Sequence, residues 1–177
     1  MVRRKGNLRF IELLISNIDG IREMSKLAST IVKDHYDPIL GEAQNDYMID
    51  KFQSVNAIKE QLHSGYKYYF VVNEDGKKVG FIALIPKEDH MYLSKFYLHK
   101  DYRGKGIAKE MLDFIIERTK EAGLSLVVLN VNKYNDIAIR AYEKLGFIRI
   151  REEIIDIGSG YYMDDFVYSY SIQGEKA

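Results

Sequence analysis

Between Met91 and Val131 the hydrophobic pattern changes period twice, and this stretch constrains the fold more than any other. Met91–Leu98 reads as a strand. From Gly106 to Ala122 the residues Ile107, Ala108, Met111, Leu112, Ile115, Ile116 and Thr119 fall on one helical face, and Gly123 terminates the helix. Leu124–Val131 is then largely apolar, broken only by Ser125 and Asn130, as expected for a central strand buried on both faces. A strand, a helix and a strand in this order imply one parallel pair joined by a right-handed crossover.

The flanking segments predict antiparallel neighbours. Tyr66–Asn73 and Lys77–Ile85 are β-branched and aromatic runs joined by the turn Glu74-Asp75-Gly76. Phe147–Ile157 and Asp165–Ile172 flank a Gly158-Ser159-Gly160 turn, and Leu8–Leu13 reads as a first strand. Asp19 is placed to cap a helix running to about Lys33, which His35-Tyr36-Asp37-Pro38 should break. Two short helices follow, near Ala43–Phe52 and Val55–His63, and Asn135 is placed to cap a helix that ends at Leu145 before Gly146. The expected fold class is α+β: a mixed, mostly antiparallel sheet of about seven strands with four or five helices. The expected organisation is one domain over residues 1–177, with its core at about 7–172.

Composition excludes several chemistries. The chain has no Cys, so a disulfide, a thiolate zinc site and a cysteinyl intermediate are ruled out. Four His stand at 35, 63, 90 and 99, and none are three to five residues apart, so no helical metal clamp is readable and no metal is expected. Lys plus Arg and Asp plus Glu are each 26, without the basic excess of a nucleic-acid binder. No apolar run approaches the roughly 18 residues of a membrane span. The expected location is the cytoplasm, and a homodimer is compatible with the chain.

The neutrality is a cancellation. Lys95–Lys109 carries five basic residues and one acidic, whereas Asp34–Asp50 and Glu152–Asp165 carry five acidic residues each and no basic ones. The basic strip surrounds Arg103-Gly104-Lys105-Gly106-Ile107-Ala108, between a strand and the strongest helix. A helix N-terminus presents unpaired N–H groups and partial positive charge, and glycines let an anion approach the backbone. This predicts a phosphate or pyrophosphate cradle; the alternative is a tight solvated turn. A Walker loop is excluded by its spacing, and a dinucleotide fingerprint lacks its third glycine, where Lys109 stands.

Arg103-x-x-Gly106-x-Ala108 resembles the Q/R-x-x-G-x-G/A signature of the GNAT superfamily of acyl-CoA N-acyltransferases. The segment Asn135-x-x-Ala138-x-x-x-Tyr142-x-x-x-Gly146-Phe147 resembles that family's second signature. The resemblance spans roughly Tyr66–Ile172. It implies that the loop amides bind the pyrophosphate of acetyl-CoA, and that the backbone of Phe96, Tyr97 and Leu98 pairs with the pantetheine arm like an added strand. It also implies that Asn135 and Ala138 line the arm, and that the Tyr142 hydroxyl lies near the thioester sulfur. Asn135 and Tyr142 are seven residues apart and so share a helix face.

The activity implied is acetyl transfer to a primary amine by direct attack in a ternary complex, with Tyr142 as acid for the leaving thiolate. Many relatives carry a Glu on the strand that here reads Met91–Leu98, which has none; Glu88, Asp89 and His35 are candidate bases that equally read as ordinary surface residues, and a water chain or a backbone carbonyl is the alternative. His35-Tyr36-x-Pro38 and the tail Gly160–Asp165 resemble a bacterial branch that includes spermidine/spermine acetyltransferases. They point to a small cationic amine, with His35, Tyr36, Glu88 and Asp164 as candidate acceptor contacts. The alternatives are a non-catalytic acyl-CoA sensor, or an acetyltransferase for a protein or peptide amine.

Overall fold

The strand–helix–strand unit forms as its pattern requires in the computed structural model of the chain, which describes residues 1–173. In chain order the elements are β1 (Val2–Lys5), β2 (Leu8–Leu13), α1 (Ile18–Leu40), α2 (Glu42–Gln53), α3 (Val55–His63), β3 (Lys67–Val72) and β4 (Lys78–Pro86). After these come β5 (Met91–Leu98), a 3-10 turn (Lys100–Tyr102), α4 (Ile107–Glu121), β6 (Leu126–Asn132), α5 (Asp136–Leu145), β7 (Ile148–Gly158) and β8 (Tyr161–Ser171). The eight strands follow the hydrogen-bonded order β1-β2-β3-β4-β5-β6-β8-β7. Among the described residues the one parallel pair is β5–β6, with Met91 opposite Val127 and Tyr92 opposite Val128.

The chain forms two compact units. The first comprises Met1–Ile85 and Lys95–Phe114; the second comprises Pro86–Ser94 and the described residues 115–173. In the first, one sheet face packs Tyr68, Phe70, Val72, Phe81 and Ala83 against Ile21, Met24, Ala28 and Ile31 of α1 and Ile58 of α3. Phe114 of α4 stacks on Phe10 at 4.1 Å and meets Tyr69 edge-on at 4.9 Å. Burying such a ring contributes about 2–3 kcal/mol, so the apolar stripe on the first half of α4 is held firmly. In the second unit, β8 pairs with β6 from Asp165 to Ser171 and with β7 from Tyr161 to Ser169.

Strand β8 starts at Tyr161, four residues before the expected Asp165, β6 is shifted to Leu126–Asn132, and three further departures lie in β1 and α1. Strand β1 was not anticipated: Val-Arg-Arg-Lys has no apolar alternation, and it becomes a strand because the turn at Gly6 (φ +58°) folds it onto β2. Helix α1 begins at Ile18, capped by Asn17, whose Oδ1 accepts from Gly20 N at 2.9 Å; Asp19 therefore sits in the first turn rather than at the cap. The same helix runs through Pro38 to Leu40 instead of breaking at His35. Pro38 lies in the last turn, where a missing N–H removes a single bond, and Gly41 N closes the end onto Asp37 O at 3.0 Å.

Candidate active site

The glycine loop forms at the start of α4. Gly104 and Gly106 adopt left-handed backbone (φ +76° and +77°), which a side chain disfavours, and a β-carbon at either position would meet open space. The glycines are thus needed for the shape of the turn, and their backbone is open to an approaching ligand. Ile107 and Ala108 begin the helix, whose first N–H groups have no carbonyl four residues earlier to bond. Lys105 is exposed, its Nζ 5.5 Å from the Tyr102 ring centroid. Arg103 is half-buried, with its guanidinium 3.4 Å from His35 Nδ1. Open amides, a helix N-terminus and two cations fit a pyrophosphate.

The register of β5 refines which backbone groups of Phe96, Tyr97 and Leu98 can bind a ligand. Along a strand, successive residues direct their N–H and C=O to opposite edges. The Tyr97 carbonyl points at β4, where a β-carbon on Gly80 would stand only 2.3 Å from it, and His99 N bonds Val79 O at 2.8 Å. Phe96 and Leu98 therefore aim their polar groups at the other edge. The Tyr97 ring stacks on Phe81 at 5.1 Å.

In the second unit, Asn135 is buried and caps α5, its Oδ1 accepting from Ala138 N at 3.2 Å. Gly146, in left-handed conformation, ends the helix. Ala138 and Tyr142 are half-buried on the same helix, and the Tyr142 ring lies 5.6 Å from that of Phe147.

The acceptor candidates are dispersed. His35 and Tyr36 lie on α1 rather than in a loop; Tyr36 is buried, and His35 is half-buried beside Arg103. Glu88 is exposed in the bend between β4 and β5. Asp164 lies on β8, and its Oδ1 is 3.0 Å from Lys133 Nζ.

The local charge count also changes in three dimensions. Lys33, just outside the first acidic strip, reaches Asp37 at 3.0 Å, Asp46 at 3.1 Å and Glu42 at 3.6 Å. The hydrogen bonds it donates to Asp37 and then Asp46 push its pKa up. Lys133 likewise bridges Glu152 and Asp164, both at 3.0 Å. Much of the predicted attraction for a cationic acceptor is thus met internally. Asp165 is the acidic residue that departs most: it is buried, accepts from Asn130 Nδ2 at 3.3 Å, and burial raises its carboxyl to about pH 6.

The sequence reading placed Lys95 in the basic strip, but its side chain is only 5% exposed. Its Nζ bonds Phe52 O and Tyr68 Oη at 2.5 Å, Gln53 Oε1 at 2.8 Å and Gln61 Oε1 at 3.2 Å. Burial pulls its pKa down to about 7. A signal was present in the sequence: Lys95 takes the inward position after Met91 and Leu93 in a strand of period two.

Residues 30–147 match the Acetyltransferase (GNAT) family. Among curated relatives, the uncharacterized N-acetyltransferase YdgE of Bacillus subtilis (strain 168) is 28% identical over 99 residues. That match covers 51% of this chain and 63% of YdgE, so the chain spans less than two thirds of the relative's length. Among solved structures, the PaiA N-acetyltransferase from Thermoplasma acidophilum in complex with coenzyme A superposes with a TM-score of 0.73 at 21% identity. That match covers 93% of this chain and 98% of the other. A mutant of the spermidine N-acetyltransferase SpeG from Vibrio cholerae gives 0.63 at 15% identity, over 93% and 94% of the two chains. At these identities the structural likeness is one of fold.

Proposed function

The chain belongs to the GNAT acetyltransferase family, and from that membership we propose that it transfers the acetyl group of acetyl-CoA to a primary amine of a small, cationic acceptor. The observation that carries this reading is the open turn at Gly104 and Gly106 on the N-terminus of α4, with Arg103 and Lys105 beside it.

In this reading the amides from Gly104 to Ala108 hold the pyrophosphate. The outward polar groups of Phe96 and Leu98, rather than those of Tyr97, pair with the pantetheine amides; Asn135 and Ala138 line the arm. Acetyl-CoA supplies an activated carbonyl and a thiolate leaving group. An alkylamine of pKa about 10.4 is neutral to roughly one part in 2,500 at pH 7, so the site must favour the neutral amine. The Tyr142 hydroxyl donates a proton to the departing sulfur. With no Cys in the chain, direct attack is the economical route. The polyamine-like acceptor is supported by the tail Gly160–Asp165 and by the fold shared with a spermidine acetyltransferase.

The test is calorimetric titration with CoA and acetyl-CoA, followed by thiol-release assays with polyamines, amino acids and peptide N-termini side by side. Micromolar binding with turnover of polyamines supports the proposal. Turnover of peptide N-termini alone moves the acceptor to a protein or peptide amine. Binding without turnover of any amine identifies an acyl-CoA sensor instead.

A further inference from the structure

Lys95 is a buried amine that neither the glycine loop nor α5 uses. An ammonium has three donors, and its three nearest acceptors, Phe52 O, Tyr68 Oη and Gln53 Oε1, account for all of them. The Tyr68 hydroxyl in turn donates to Gln61 Oε1. Among the described residues no carboxylate forms an ion pair with Lys95, so the group is solvated by neutral dipoles.

The identity of those dipoles is informative. Helix α2 ends at Gln53, so Phe52 O is one of the last carbonyls, which lack an intrahelical partner and carry the negative end of the helix dipole. Lys95 caps that end from strand β5, forty-three residues away in sequence. Ser25 Oγ bonds Gln53 O at 2.7 Å, and Gln61 Nε2 bonds Phe52 O at 3.2 Å. Helix α3 starts two residues later, capped by Ser54. No strand ladder holds this helix junction, whereas β5 is held by its neighbours in the sheet. Side-chain bonds converge on Phe52 and Gln53 from Ser25 of α1, Gln61 of α3 and Lys95 of β5, and Lys95 supplies the tie to the sheet.

We propose that Lys95 is a positioning residue that holds the α2–α3 junction in place on β5 and thereby sets the affinity for the acceptor amine. This rests on the proposed acetyltransferase reading, in which His35 and Tyr36 of α1 contact the acceptor; α2 is tied to that part of α1 by Asn45, whose Nδ2 donates to Val32 O at 3.2 Å and to Asp37 Oδ1 at 2.8 Å. Removing the ammonium should loosen the junction and leave the cofactor loop, whose contacts lie elsewhere, unchanged.

The experiment compares Lys95→Met with wild type by hydrogen–deuterium exchange and by steady-state kinetics in both substrates. Exchange at residues 52–57 should accelerate about tenfold or more, with the amides of β3 and β4 unchanged. The KM for the amine should rise about tenfold, with kcat and the KM for acetyl-CoA within about twofold. Gln53→Met, which removes one acceptor and keeps the ammonium, should give a smaller change of the same pattern, and it decides the matter where Lys95→Met does not fold. Unchanged exchange at the junction overturns the proposal. So does a loss confined to kcat, or one shared equally by both substrates. If no amine is turned over while CoA binds, the acetyltransferase reading fails, and the exchange data alone decide whether Lys95 holds the junction.

Discussion

Replacing Lys95 by Met should change how stability depends on pH. The free amine titrates near 10.5 and the folded one near 7, lowered by burial. Below pH 7 both states hold the proton. Between pH 7 and about 10.5 the unfolded chain keeps it and the folded chain has released it. The unfolded state therefore binds more protons in that window, and wild-type stability rises with pH. From half-protonation at pH 7 to almost none at pH 9, the gain is about 2 kcal/mol at 1.36 kcal/mol per pH unit. Lys95→Met lacks this term. The variant also leaves Gln53 Oε1 and Tyr68 Oη short of a donor, at about 1–3 kcal/mol each, while Phe52 O keeps its bond from Gln61 Nε2 and the buried charge is relieved. Its absolute stability mixes these effects, and the slope isolates the amine. Urea unfolding at pH 7, 8 and 9 should show the stability gap between wild type and variant shifting by about 2 kcal/mol in favour of wild type. For a chain of this size that corresponds to about 4–8 °C in Tm. Parallel curves for the two proteins would refute the buried, desolvated amine as the cause.

Gly106→Val should lower CoA affinity at least about tenfold, because a β-branched residue resists the left-handed turn; calorimetry checks it, and unchanged affinity removes the loop from the site. Tyr142→Phe should reduce kcat about a hundredfold with the Kd for CoA within twofold, read by stopped-flow and calorimetry. Asn135→Ala should cost about 1 kcal/mol through the lost cap of α5, measured by urea unfolding. Asp165 has its carboxyl raised by burial, so its contribution is present below about pH 4 and lost as pH rises through about 6. Thermal melts of Asp165→Asn at pH 4.5 and 7 should therefore show the variant gaining on wild type at the higher pH.

The sequence by itself determined the parts that depend on neighbours along the chain. Met91–Leu98 and Val55–His63 are strand and helix at those bounds, Asn135 caps α5 and Gly146 closes it, and the glycine turn opens α4. Periodicity, caps and left-handed glycines are local physics, legible within a few residues. Only the tertiary structure decided the rest. It made a strand of Val2–Lys5 by supplying β2 as a partner, and it carried α1 through Pro38. It partly offset the acidic strips with Lys33 and Lys133, bases that lie just outside one strip and nineteen residues before the other. It turned Lys95 from one more charge beside a phosphate loop into a buried cap on α2. The reason is common to all of these. Burial and ion pairing depend on which distant residues meet, and a charge count along the chain carries no distances through space.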